Sequence, residues 1–182
     1  MSYSINYYDG VVAIRDRGEL ISRCRQTGRL HYQFFQKGDK EWVVFGSEKS
    51  YGFRFMCLSD RHMYYYPKNE LRYAIHGLLI NPTCDYLMFI NGIQSIDFMR
   101  ITTTGTTTCI DMVIQDKKWE LYNFLQESSL DKVEWISDFR MIYRCGMYDL
   151  IFEMPKDFAC RNVTVEWYEA SLFDLLRNSI EK

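Results

Sequence analysis

Hydrophobic and polar positions change period along the chain, and the changes predict its elements. Over residues 51–57, Tyr51, Phe53, Phe55 and Cys57 alternate with Gly52, Arg54 and Met56, a period of two that predicts a half-buried strand. Residues 63–66 add a short aromatic run. Leu71, Ala74, Ile75, Leu78 and Leu79 then recur at helical spacing. Pro67 suits a first helical turn, Asn81 tolerates the left-handed conformation after a last one, and Pro82 blocks continuation. A helix is therefore expected over 67–80. Residues 86–90 are apolar without interruption and predict a buried strand. This strand–helix–strand stretch, 51–90, is the expected centre of the fold.

The flanks fill in around it. Residues 1–14 read as a loosely ordered, tyrosine-rich lead with a short strand at 11–14. Leu30, Tyr32 and Phe34 alternate with His31, Gln33 and Phe35, and Gly38-Asp39 reads as a turn, so 30–45 is a candidate hairpin. Residues 96–101 predict a strand. The threonine run 102–108 around Gly105 predicts two strand ends joined by a turn, because β-branched residues favour extended backbone. A hydroxyl-lined phosphate site or a phosphorylation target is the functional alternative for that run, and a polar hairpin tip the plainer one. Asp116 can cap a helix over 116–127, with Trp119 and Tyr122 on its apolar face. Residues 133–143 and 147–154 read as two strands around Cys145-Gly146. A last helix is expected over 165–180, carried by Trp167, Leu172, Leu175, Leu176 and Ile180. The expected fold class is α+β: one domain over 15–182, a mostly antiparallel sheet and three helices.

Composition narrows the function more than the fold. The 182 residues include 14 Tyr, 12 Phe and 4 Trp, too many large apolar groups for a disordered chain and enough to supply aromatic surface to an interface. The formal charge of −2 makes the whole protein no general polyanion binder. Six cysteines lie far apart, and the start MSYSINYYDG has neither a basic nor an apolar leader region, so reduced and mostly buried thiols in a cytosolic protein are expected. No apolar run is long enough for a membrane-spanning helix.

Catalytic and metal-binding patterns are absent. His31, His62 and His76 have no second His or Cys at ligand spacing with a matching distant pair. Neither Gly-x-Ser-x-Gly nor a Gly-rich loop ahead of Lys-Ser/Thr occurs. A Cys–His pairing and a carboxylate pair such as Asp149 and Glu153 read as chance proximity and solvated surface. The expectation is a protein that is not an enzyme, with no cofactor, metal or small-molecule substrate.

One charge feature points to a partner. Residues 15–40 hold seven basic and three acidic side chains, a local +4, while residues 116–182 carry a local −4. Arg15, Arg17, Arg23, Arg25, Arg29, Lys37 and Lys40, interleaved with Tyr32 and Phe34, are the candidate contact residues. Such a segment could meet a phosphate backbone with bases stacked on aromatic rings, anionic lipid headgroups, or the acidic half of another copy. The last would build open-ended oligomers.

The segment YGFRFMCLSDRHMYYYPKNELRYAIHGLL, followed by CDYLMFINGI, resembles rhabdovirus matrix proteins in its order of Phe/Arg/Met strand, polar turn, amphipathic helix and apolar strand. The pair of strands around RMIYRCGMYDLIFEM with a terminal helix is similar to that family's closing half, and the length suits the short cytorhabdovirus-like members of plant-infecting viruses. The chain departs from the family in lacking a Lys-rich tail and a Pro-Pro-x-Tyr motif. The resemblance implies a non-enzymatic structural protein of the virion and host cytoplasm. It would self-associate, condense the nucleocapsid and contact the inner leaflet of the envelope. An interaction module that binds a host protein or RNA to suppress defence is the alternative.

Overall fold

The computed structural model describes residues 2–49, 52–66, 75–91, 95–104, 107–112, 114–115, 133–145, 148–157, 159–160 and 162–169. These residues form sixteen strands and no helix, so the described part of the chain is all-β where an α+β fold was expected. The strands are β1 (Tyr3–Tyr8), β2 (Val11–Asp16), β3 (Glu19–Arg25), β4 (Leu30–Lys37), β5 (Lys40–Ser47), β6 (Phe53–Cys57), β7 (His62–Tyr66), β8 (Ile75–Ile80), β9 (Tyr86–Asn91), β10 (Ser95–Thr104), β11 (Thr107–Met112), β12 (Ile114–Gln115), β13 (Val133–Ser137), β14 (Arg140–Cys145), β15 (Tyr148–Glu153) and β16 (Asn162–Glu169). They pair in four sheets, ordered β1-β2-β3, β4-β5-β6-β7, β11-β10-β9-β8 and β12-β16-β15-β14-β13.

Contacts divide the chain into two compact units, Met1–Leu78 and Leu79–Lys182, with the division inside β8. In the first unit, β1-β2-β3 and β4-β5-β6-β7 share a core. Val12 and Ile14 of β2 pack with Val43 and Phe45 of β5, Met56 of β6 and the following Leu58, with Ile5, Cys24, Leu30, Phe34 and Met63 around them. In the second unit, Tyr86, Met88, Ile90, Ile96 and Phe98 pack against Met141, Tyr143, Leu150, Phe152, Val163 and Val165. Burying these side chains contributes about 2 kcal/mol each, which is the main stabilising contribution in a fold where Cys24, Cys57, Cys84 and Cys160 are free thiols.

Two of the three expected helices meet described residues, and both are corrected. Residues 75–80, the second half of the expected 67–80 helix, are β8. Ile75, Leu78 and Leu79 satisfy the helical period, but Ile75, Gly77, Leu78 and Ile80 are buried together on a six-residue run. Such a run is too short to pay for helix nucleation, and Gly77 costs a helix about 1 kcal/mol. Asn81, expected to follow a helix, instead organises the β8–β9 turn. Its Oδ1 accepts from the backbone N–H of Asp85 and Tyr86, both at 2.8 Å, and its Nδ2 donates to Thr83 Oγ1 and to the Asp138 carbonyl. The start of the expected 165–180 helix lies in β16, where Val163 and Val165 are buried and Thr164 and Glu166 exposed, a strict period of two. Residues 170–180 and the expected helix over 116–127 lie outside the described residues.

The strand expectations fare better. Lys37 pairs with Lys40 across Gly38-Asp39, which closes the predicted hairpin as β4–β5. β9 is buried from Tyr86 to Ile90. Thr104 pairs with Thr107, so the threonine run is the β10–β11 hairpin. The expected single strand over 133–143 is a hairpin, β13–β14, turning at Asp138-Phe139. Residues 3–8, expected as part of a loose lead, are β1.

Candidate interaction face

The face that gathers three of the candidate arginines follows from two tight turns. Asp9-Gly10 and Arg17-Gly18 have positive φ at both positions (48° and 71°, 48° and 89°), the backbone of a two-residue turn whose twist matches paired strands. Tyr8 is thereby set opposite Val11, and Asp16 opposite Glu19. Alternation then decides what points where. Val12 and Ile14 go to the core, so Val11, Ala13 and Arg15 point away from it.

Cross-strand partners share a face, and the register gives this one as a grid. Tyr8, Val11 and Arg25 form one row, Asn6, Ala13 and Arg23 the next, and Ser4, Arg15 and Leu20 the third. The strand positions of this face hold three arginines and no acid. Tyr8 is 84% exposed and Leu20 44%, and Arg23 and Arg25 are exposed. Neither Arg23 nor Arg25 makes an ion pair among the described residues. Arg15 is the more restrained, its Nη1 donating to the Gly18 carbonyl at 2.9 Å. Of the nearby acids Asp9 sits in one turn and Asp16 and Glu19 flank the other, and Asp16 is engaged by the Ser2 hydroxyl at 2.6 Å.

Of the nine residues singled out by charge and aromaticity, the structure gathers three here, Arg15, Arg23 and Arg25. Arg17 occupies the β2–β3 turn, 85% exposed and 4.0 Å from Asp16. Arg29 is exposed in the β3–β4 connection. Phe34 packs against the core of the first unit, edge-on to Tyr32 with ring centroids 5.9 Å apart. Tyr32 is 48% exposed and shares a row with Phe45, Arg54 and Tyr65. Lys37 and Lys40 flank the turn at the far end of β4–β5, and the Lys40 ammonium is held by Asp60 at 2.7 Å.

Tyr8, Asn6 and Arg54 are the residues that charge counting missed. Arg54 donates from Nη1 to the Arg25 carbonyl at 3.1 Å and lies over the Tyr65 ring at 5.7 Å, so it braces the end of β3 against the second sheet. The signal for Tyr8 and Asn6 was present as Asp9-Gly10 between two alternating stretches, a hairpin signature.

Elsewhere, four cysteines with described side chains are free thiols: Cys57 is buried, Cys24 and Cys84 are partly buried, and Cys160 is exposed. Among the described residues no group of His, Cys, Asp and Glu is placed to hold a metal ion, and no helix is long and apolar enough to cross a membrane.

No family model and no curated protein matches the chain. Among solved structures, "KlHsv2 with loop 6CD replaced by a Gly-Ser linker" aligns with 92% of this chain and 81% of its own, at 11% identity and a TM-score of 0.28. A superposition that loose carries no inference about fold or function.

Proposed function

We propose that this protein is a non-enzymatic binding module that engages a phosphate-bearing partner through the outer face of β1-β2-β3. The observation that carries the reading is the convergence of Arg15, Arg23 and Arg25 on one exposed sheet face without an acid among its strand positions. Guanidinium groups suit phosphate because their planar fork donates two parallel hydrogen bonds. A local face of this kind works despite the net charge of −2, since screening confines the interaction to about 8–10 Å. The matrix-protein reading belongs to the same class, with nucleocapsid RNA or anionic headgroups as the phosphate source. Its support is this arginine face and no longer the strand–helix–strand order, because residues 75–80 form a strand. The test is binding of a polyanion to the full chain over a salt series. Wild type should lose affinity steeply with salt, and the Arg23→Glu/Arg25→Glu double variant should bind weakly with a flatter slope. Equal binding by the two proteins refutes the assignment.

Self-association is a second reading with its own observation. Glu134 and Glu166 end one row of β13–β16 whose middle residues, Ile142 and Ile151, are buried, and Glu153 lies in the adjacent row. All three are exposed, but Arg144 already holds Glu134 at 3.2 Å, so Glu153 and Glu166 are the carboxylates left to meet the arginines of another copy. Light scattering across concentration tests it: growth at low salt that reverses at high salt supports head-to-tail contact, and a monomer throughout removes it.

A further inference from the structure

We infer that the phosphate-bearing partner is a single strand of nucleic acid lying along β2, with a base stacked on Tyr8 and consecutive phosphates on Arg25 and Arg23. The inference rests on the binding reading above and adds the substrate class. It comes from the shape of the grid rather than from its charge alone.

The two central positions, Val11 and Ala13, are small, and they are flanked by longer side chains on both sides. Tyr8 and Asn6 rise from β1 on one side, Arg25 and Arg23 from β3 on the other. The result is a shallow trough with an apolar floor, one wall aromatic and amide, the other cationic. Those are the groups that a single strand presents in the same order across its width: bases on one side, phosphates on the other. Spacing agrees along the length. Arg23 and Arg25 are two residues apart on one extended strand, so their Cα atoms are about 7 Å apart, comparable to successive phosphates of an extended strand.

Tyr8 decides between partner classes. A ring 84% exposed at a strand end has a free π-face, and stacking on it requires an unpaired base. A duplex buries its bases and would use only the arginine wall. A lipid surface would use the arginines too, with the exposed Leu20 and Val11, but it leaves the polar Asn6 and Ser4 beside Tyr8 without a partner, and the vesicle comparator below separates the two. The Asn6 amide, one row from Tyr8, is placed to donate to or accept from a base edge.

The experiment is fluorescence anisotropy with the full chain and a labelled single-stranded RNA of roughly eight nucleotides, within the site sizes of small β-sheet binders. The comparators are the matching duplex, inorganic polyphosphate and vesicles of anionic phospholipid. The expected result is tightest binding to the single strand. Tyr8→Ala should weaken that binding about tenfold while leaving polyphosphate binding unchanged, and Tyr8→Trp should retain it. Arg23→Glu/Arg25→Glu should weaken both. If Tyr8→Ala binds RNA as wild type does, or if the duplex or the vesicles bind as tightly as the single strand, the single-strand inference is overturned and the anion-binding face stands. If wild type binds none of these polyanions, both fail.

Discussion

The side-chain amide of Asn81 donates to the carbonyl oxygen of Asp138, joining the β8–β9 turn to the β13–β14 turn across the second unit. Asn81 is 1% exposed and every polar atom of its side chain is engaged. Asn81→Ala would strand the buried N–H of Tyr86, at about 1–3 kcal/mol, and take a partner from the part-buried Asp85 N–H and from the carbonyl of Asp138. Urea unfolding should show a loss of about 2 kcal/mol. Asn81→Asp should be little better, since it keeps the acceptor but sets a carboxylate against a carbonyl oxygen. A loss below about 1 kcal/mol in both variants would show that the two turns hold without the amide.

The hairpins that build the arginine face give a contrasting pair. Gly10 has φ +71°, and a Cβ there would come within 3.2 Å of the Gln26 carbonyl oxygen. Gly10→Ala should therefore destabilise by about 1–2 kcal/mol. Arg17 already sits at φ 48° with a Cβ, so Arg17→Gly should raise the melting temperature slightly. Thermal unfolding of both variants checks the turn geometry, and shifts of the same sign would contradict it.

His31 makes stability depend on pH. Burial lowers its pKa from 6.5, the Arg29 charge adds to the effect, and Glu48, 3.7 Å from Nε2, opposes both. The folded state therefore binds fewer protons than the unfolded state below 6.5. The contribution is complete above that value and is lost as pH falls from about 6.5 through the lowered folded value. His31→Gln should remove this part of the pH profile, and Arg29→Gln should shrink it. A slope between pH 7 and 5 that is identical in wild type and His31→Gln would count against this origin.

Lys40 and Asp60 perturb each other in opposite directions. The hydrogen bond from Lys40 is the largest cause of the lowered Asp60 pKa, and the same bond raises that of Lys40. Both groups are solvated, so Lys40→Met should leave the unfolding midpoint nearly unchanged. It should still move the Asp60 carboxyl titration, followed by NMR, up toward 3.8. A fixed titration would show that the pair does not form in solution.

Legibility in the sequence followed the range of the interactions. The β4–β5 and β10–β11 hairpins, the buried β9 and the β2 strand were readable because turn residues and alternation are local. β8 was not, because Ile75, Leu78 and Leu79 fit a helical period as well as a buried strand, and only pairing with another strand settles the ambiguity. β1 was missed although Asp9-Gly10 marked its turn, since a polar, tyrosine-rich stretch reads as loose until its partner is known. Counting charges found Arg15, Arg23 and Arg25, but could not separate them from Lys40, which Asp60 holds, or from Phe34, which faces the core. A face is a property of register, and register appears only once strands are paired.

The parallel contact of β12 with β16 sets a timetable for the chain as it is made. Through β7, the antiparallel pairings join strands that follow one another in sequence, so each can form as its hairpin leaves the ribosome. Ile114 and Gln115 instead pair with Asn162 and Val163, past the three described strands between them. The first unit can thus be complete, arginine face included, while β12 still waits for the last strand of its sheet.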